Sequence, residues 1–263
     1  MVDALASGAS ARKGVEVRVF SWAPSPACCL AVAIKWWRCG TNGKQEKRLQ
    51  PRSRKAQLNQ SSTVELYKGD LPQGRFTAKA IAIDTETLGL NPHRDRLCLV
   101  QLSNGDGTAA LVQVSRDFDA PELKRLLANQ SVLKIFHYAR FDVAVLKHFL
   151  GVETAPIYCT KIASKLARTY TDRHGLKDLC RELLGVELSK QQQSSDWGAD
   201  TLTPEQLSYA ASDVLYLHAL KERLDAMLVR EGRDRFAQAC FDFLPTRADL
   251  DLSGWAEMDI FAH

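Results

Sequence analysis

The stretch 96–114, RLCLVQLSNGDGTAALVQV, leaves the chain few ways to fold. Two apolar runs, each too short for a stable helix, flank NGDGT, where Asn and Gly tolerate positive φ. They read as adjacent antiparallel strands of one hairpin. AIAID (80–84) upstream supplies a third strand of a meander, and VLKIFH (132–137) a further buried strand. Helical patterns follow. Residues 120–129 carry Pro121 near their start, 139–151 end on Gly151, and 160–170 and 175–185 are two more. Residues 202–228 read as one long helix. Thr203 caps it, Pro204 suits its first turn, and Gln206 completes a capping box. A meander followed by alternating helices and a strand specifies an α/β fold, a mixed sheet flanked by helices.

The segment KAIAIDTETLGL (79–90) carries charge out of that sheet. In a strand, residues two apart share a face, so Asp84 and Glu86 project together and Thr85 points the other way. Two carboxylates side by side repel, and one stays protonated unless a cation lies between them. Their hard oxygen atoms suit Mg²⁺ or Mn²⁺ rather than zinc. Such a pair is common at strand ends and decides nothing alone. Asp142 adds a third acid at the start of the helix after VLKIFH, a position the helix dipole also favours. Tyr209 and Asp213, four apart on the capped helix, share one of its faces. Ala210, Ala211 and Ser212 between them are small enough for close approach to a sheet.

Charge limits the partners. Residues 1–60 hold eleven Lys and Arg against three acids, so the remaining 203 residues carry −4 of the net +4. A mildly acidic body must meet a polyanion through local patches or metal ions. Residues 1–62 read as a basic, disordered extension outside the fold, the folded domain occupies 63–245, and 246–263 read as a C-terminal tail. The apolar patch ACCLAVAIKWW imitates a signal peptide. Pro24 and Pro26 interrupt it upstream, however, and Trp36 and Trp37 stand where small cleavage-site residues belong. No apolar run approaches the roughly 20 residues that span a bilayer, so no membrane partner is expected. The seven scattered cysteines contain no Cys-x-x-Cys pair and read as reduced thiols of a cytoplasmic protein.

IAIDTETLGL, IFHYARFDVAVL and YAASDVLYL, in that order, resemble the three exonuclease motifs of the DEDD superfamily. The Tyr-x-x-x-Asp form of the third marks the tyrosine branch; the histidine branch would carry His at the position of Ser208. NPHRDRLCLVQLS, HGLKDLCRELLG and SDWGADTLTPEQLSYAASDV are similar to the ribonuclease D catalytic domain, and the resemblance covers about residues 63–230. Only fifty residues follow Asp213, which resembles the short form without C-terminal helical RNA-binding modules.

The resemblance implies a ribonuclease H-like fold and a 3′→5′ exoribonuclease that releases nucleoside 5′-monophosphates, with tRNA and other structured RNA as substrates. It implies two divalent ions, Mg²⁺ or Mn²⁺, bound by Asp84, Glu86, Asp142 and Asp213. The ions would clamp the scissile phosphate while Tyr209 orients the attacking water. Thr87 and Leu88 would contact the terminal nucleotide at the RNA 3′ end, and His137 its sugar or phosphate. Lys161, Lys165, Arg168, Arg173 and Lys177 could form a phosphate track. A single-stranded DNA exonuclease and a non-catalytic nucleic-acid-binding module of the same fold are the alternatives, and oligomeric state stays open.

Overall fold

A computed structural model describes residues 63–189, 191–192 and 194–262. The basic extension 1–62, with Cys28, Cys29 and Cys39, lies outside the described residues. Six strands form one sheet: β1 (Thr63–Lys68), β2 (Ala80–Thr87), β3 (Leu97–Ser103), β4 (Thr108–Gln113), β5 (Leu133–Phe136) and β6 (Ile157–Cys159), in the order β1-β4-β3-β2-β5-β6. The meander β2-β3-β4 is antiparallel, while β1 on β4, β5 on β2 and β6 on β5 are parallel. The β3–β4 turn has the expected chemistry, with Gly105 and Gly107 at φ 79° and 87°. Ser103 Oγ donates to the Thr108 carbonyl and Thr108 N to Asp106 Oδ1.

Two strands went unread in the sequence. β1 is an edge strand with alternating exposure and little apolar density, and β6 is three residues long. Both find their partners only in the assembled sheet.

The helices are α1 (Pro121–Ala128), α2 (Ala139–Leu150), α3 (Thr160–Ala167), α4 (Leu176–Leu179, continued by a wide π turn through Leu184), α5 (Pro204–Leu215), α6 (Leu217–Arg230) and α7 (Asp234–Leu250). The single helix expected over 202–228 is two. The backbone leaves helical geometry at Tyr216, with φ −103° and ψ −6°. α5 then packs on β2, β3 and β4 while α6 packs on α3. Those packing surfaces belong to distant segments, and local periodicity does not encode where the helix divides between them.

The boundary at 245/246 is also corrected. α7 runs through it, burying Ala237, Phe241, Leu244 and Ala248 at helical spacing. Beyond it, the buried Asp251 takes ion pairs from Arg140 and Arg247 at 2.6 and 2.7 Å. The 246–255 segment therefore belongs to the folded body.

The main core lies between sheet and helices, built on residues such as Ile81, Ile83, Leu102, Phe136, Val145 and Leu220. A smaller cluster under α5 joins Leu99 and Leu111 to Trp197, Leu202 and Ala210. Cys98, Cys159 and Cys180 are buried free thiols, and Cys240 is exposed. None of the described helices is long and apolar enough to cross a membrane.

Candidate active site

β2 runs buried through Ile83 and delivers its last residues to a cavity of about 530 Å³. Asp84 and Glu86 share the face that α5 covers. α5 starts on the capping box read from the sequence, with Thr203 Oγ1 accepting from Gln206 N and Gln206 Oε1 from Thr203 N. Its fully buried Ala210 and Ala211 let the helix lie close on the sheet, which brings Tyr209 and Asp213 to the strand. Carboxylate oxygens of Asp84, Glu86 and Asp213 all lie within 4.8 Å of one another.

Asp142 lines the same cavity but stands outside that group of three. It is 3% exposed, and its Oδ1 accepts a 2.6 Å hydrogen bond from Thr85 Oγ1. Strand alternation alone had sent Thr85 to the far face; only the placement of α2 makes it the anchor of the fourth acid.

The electrostatics are those of a site lacking its counter-charge. Burial, then repulsion from Asp142, Asp213 and Glu86, holds Asp84 well above the ordinary carboxylate range. Burial and the neighbouring acids push Glu86 up to about 9 and Asp213 to about 7. Asp142 also rises to about 7 through burial, against the opposing bond from Thr85. Among the described residues the cavity lining includes no Lys or Arg. Oxygen-only donors, crowded and unneutralised, fit a divalent cation such as Mg²⁺ or Mn²⁺. Tyr209 also titrates above its usual range, through burial and then Asp213, so its phenol keeps its proton at neutral pH.

The cavity wall beyond Glu86 depends on two residues the sequence reading did not single out. The strand register shifts between Glu86 and Thr87, and Thr87 Oγ1 donates to the Gly89 carbonyl. A Cβ on Gly89 would lie 2.3 Å from Asp95 Oδ2, so a larger residue there would displace the Asp95 carboxylate. Asp95 accepts from Asn91 N at 2.9 Å and from Arg94 Nε at 2.6 Å. Those bonds, Arg94's first, hold its carboxyl at about 2. Thr87 and Leu88 consequently line the cavity, and Leu88 is 53% exposed, an apolar surface for a bound group. Ser194, Ser195 and Trp197 also line the cavity. Trp197 packs at a 35° tilt to Tyr209, with ring centroids 6.1 Å apart.

His137 and Arg168 stand elsewhere. His137 is not among the lining residues; its Nδ1 lies 2.9 Å from Thr160 Oγ1. Burial, with Lys161 adding, pushes its pKa down to about 3. Arg168 is fully buried, bonded to Ser164 Oγ, the Arg173 carbonyl and Glu182, so it joins no phosphate track. Lys161 lies over the Tyr138 ring at 4.1 Å, and with Lys165 lines an adjoining cavity that shares Tyr138 with the acidic one.

Comparison with known proteins follows the same lines. The family described as 3′-5′ exonuclease matches residues 71–229. NrnC from Brucella melitensis is 61% identical, covering 77% of this chain and 100% of that one with a TM-score of 0.75. Structures of it with bound Mg²⁺ and bound to pGG are known. Ribonuclease D from Acidiphilium cryptum is 34% identical over 153 residues, 58% of this chain and 39% of that protein. Escherichia coli RNase D, an exoribonuclease involved in structured RNA processing, is 28% identical with a TM-score of 0.58, covering 65% of this chain and 45% of that one. The chain spans about two fifths of the length of the curated ribonuclease D relatives it matches.

Proposed function

The chain belongs to the 3′-5′ exonuclease family, and we propose that it hydrolyses single nucleotides from the 3′ end of short RNA strands with divalent metal ions. Its mixed sheet flanked by helices is the ribonuclease H-like arrangement of its neighbours. One observation carries the catalytic reading. Asp84, Glu86 and Asp213 converge within 4.8 Å in a cavity lined by four carboxylates and, among the described residues, no basic side chain.

In this reading Asp84, Glu86, Asp142 and Asp213 hold two ions, Mg²⁺ or Mn²⁺. When bound, the ions supply an activated water and charge stabilisation at the scissile phosphate. The remaining roles belong to the chain. Tyr209, protonated at neutral pH, hydrogen-bonds the attacking water and orients it. Thr85 fixes the Asp142 carboxylate. Thr87 and Leu88 meet the terminal nucleotide, with the Leu88 side chain against its base. His137, held by Thr160, is not among the described residues lining that cavity.

Short substrates are favoured over long structured RNA by the full coverage of NrnC, a protein solved bound to pGG. Processing of tRNA precursors is the second reading, supported by the ribonuclease D relatives. Cytoplasmic residence goes with either substrate. The test is incubation with 3′- and 5′-labelled RNA and DNA oligonucleotides of graded length, with Mg²⁺, Mn²⁺ or EDTA. Stepwise 5′-monophosphate release from the RNA 3′ end, abolished by EDTA and fastest on the shortest strands, is the expected result. Internal cleavage, or activity that survives chelation, would refute the proposal.

A further inference from the structure

Gln101 lies beside the acids, and the catalytic reading leaves its chemistry unused. It sits in the middle of β3, is 0% exposed, and neither Nε2 nor Oε1 has a hydrogen-bond partner. A buried amide with both ends unpaired is unfavourable, and an apolar side chain of similar volume would suit a core position better. Its register gives the amide a purpose. Gln101 pairs directly with Asp84 across the β2–β3 ladder, so the two side chains leave the same face of the sheet. Leu99 and Leu111, its neighbours on that face, pack with Ala210 of α5. The amide therefore lies under the same helix that brings Asp213 to Asp84.

Directly opposed residues of an antiparallel pair have Cβ atoms roughly 5 Å apart. Gln carries one methylene more than Asp, so a rotamer change spans that gap. We propose that Gln101 is a positioning residue for the metal centre, its Nε2–H donating to the Asp84 carboxylate and fixing the orientation in which that carboxylate receives a cation. The proposal rests on the reading of Asp84 as a metal ligand. A hydrogen-bonded outer partner of this kind changes metal affinity by about 10- to 100-fold, without touching substrate.

The test compares Gln101→Leu, Gln101→Met and Asp84→Asn with the parent by calorimetric titration of Mn²⁺ into EDTA-treated, dialysed protein. Thermal unfolding in EDTA and steady-state kinetics over a range of Mn²⁺ concentrations run alongside. Both Gln101 variants are expected to bind Mn²⁺ about 10- to 100-fold more weakly. They should unfold in EDTA at or above the parent's temperature, lose kcat at low Mn²⁺, regain it at high Mn²⁺, and keep the parent's KM for oligonucleotide. Two substitutions guard against one that packs badly. Mn²⁺ binding within about twofold of the parent in whichever variant folds would overturn the role of Gln101 alone. Unchanged Mn²⁺ binding in Asp84→Asn would overturn the metal-site reading and this proposal with it.

Discussion

Replacing Asp213 by Asn should make the metal-free protein more stable in alkaline solution while destroying its activity. Asn keeps the shape of Asp and removes one of four crowded charges. An acid whose folded pKa lies above its unfolded value binds more protons when folded, so its contribution to stability is present at low pH and lost as pH rises through the folded pKa. For Asp213 that window runs from the ordinary value of 3.8 to about 7. At about 1.4 kcal/mol per pKa unit the full shift corresponds to about 4 kcal/mol. Water in the open cavity screens part of it, leaving on the order of 2–4 kcal/mol above neutral pH. Relief of Glu86 and Asp84, both raised by Asp213, acts in the same direction. Urea unfolding in EDTA should give nearly equal stabilities at about pH 4 and a variant more stable by that amount at about pH 8.5. Mg²⁺ at about 100 times its Kd should add about 2.7 kcal/mol to the parent at the higher pH and much less to the variant. A variant less stable than the parent at alkaline pH in EDTA, or a gap independent of pH, would refute the account of the site as a set of unneutralised charges.

Three further substitutions probe the parts around the acids. Thr85→Val removes the 2.6 Å donor to buried Asp142 and should cost about 1–3 kcal/mol in denaturant unfolding, with slower hydrolysis and an unchanged KM. Tyr209→Phe should lower kcat by about 10- to 100-fold, the worth of one hydrogen bond to a charged or reacting group. Binding of a short oligonucleotide, followed by fluorescence anisotropy, should be preserved. Gly89→Ala drives a Cβ into Asp95 and should cost about 1–3 kcal/mol. It should raise KM more than it lowers kcat, because Thr87 and Leu88 move with the loop.

Much of the site was legible because its information is local. Period two put Asp84 and Glu86 on one face, a spacing of four put Tyr209 on the face of Asp213, and Thr203 with Gln206 marked where that helix begins. NGDGT located the β3–β4 hairpin. For His137 and Arg168 the sequence carried two readings each, ligand contact and an ordinary structural role, because a polar side chain beside a motif resembles a ligand-binding group until its own partners are known. Thr160 claims the one, and Ser164 with Glu182 the other.

The sequence by itself determined which side chains share a strand or helix face, where elements start and turn, and that a mildly acidic body must meet a polyanion through local patches or metal ions. Tertiary structure alone decided the distances: three acids from two distant segments within 4.8 Å, and Asp142 turned to Thr85. It also broke the long helical pattern at Tyr216 and took β1 and β6 into the sheet. Periodicity reports which face a residue occupies, because the backbone repeat sets that locally. What stands across from the face is set by long-range packing, in which a helix bends or an edge strand pairs according to the surfaces other segments present.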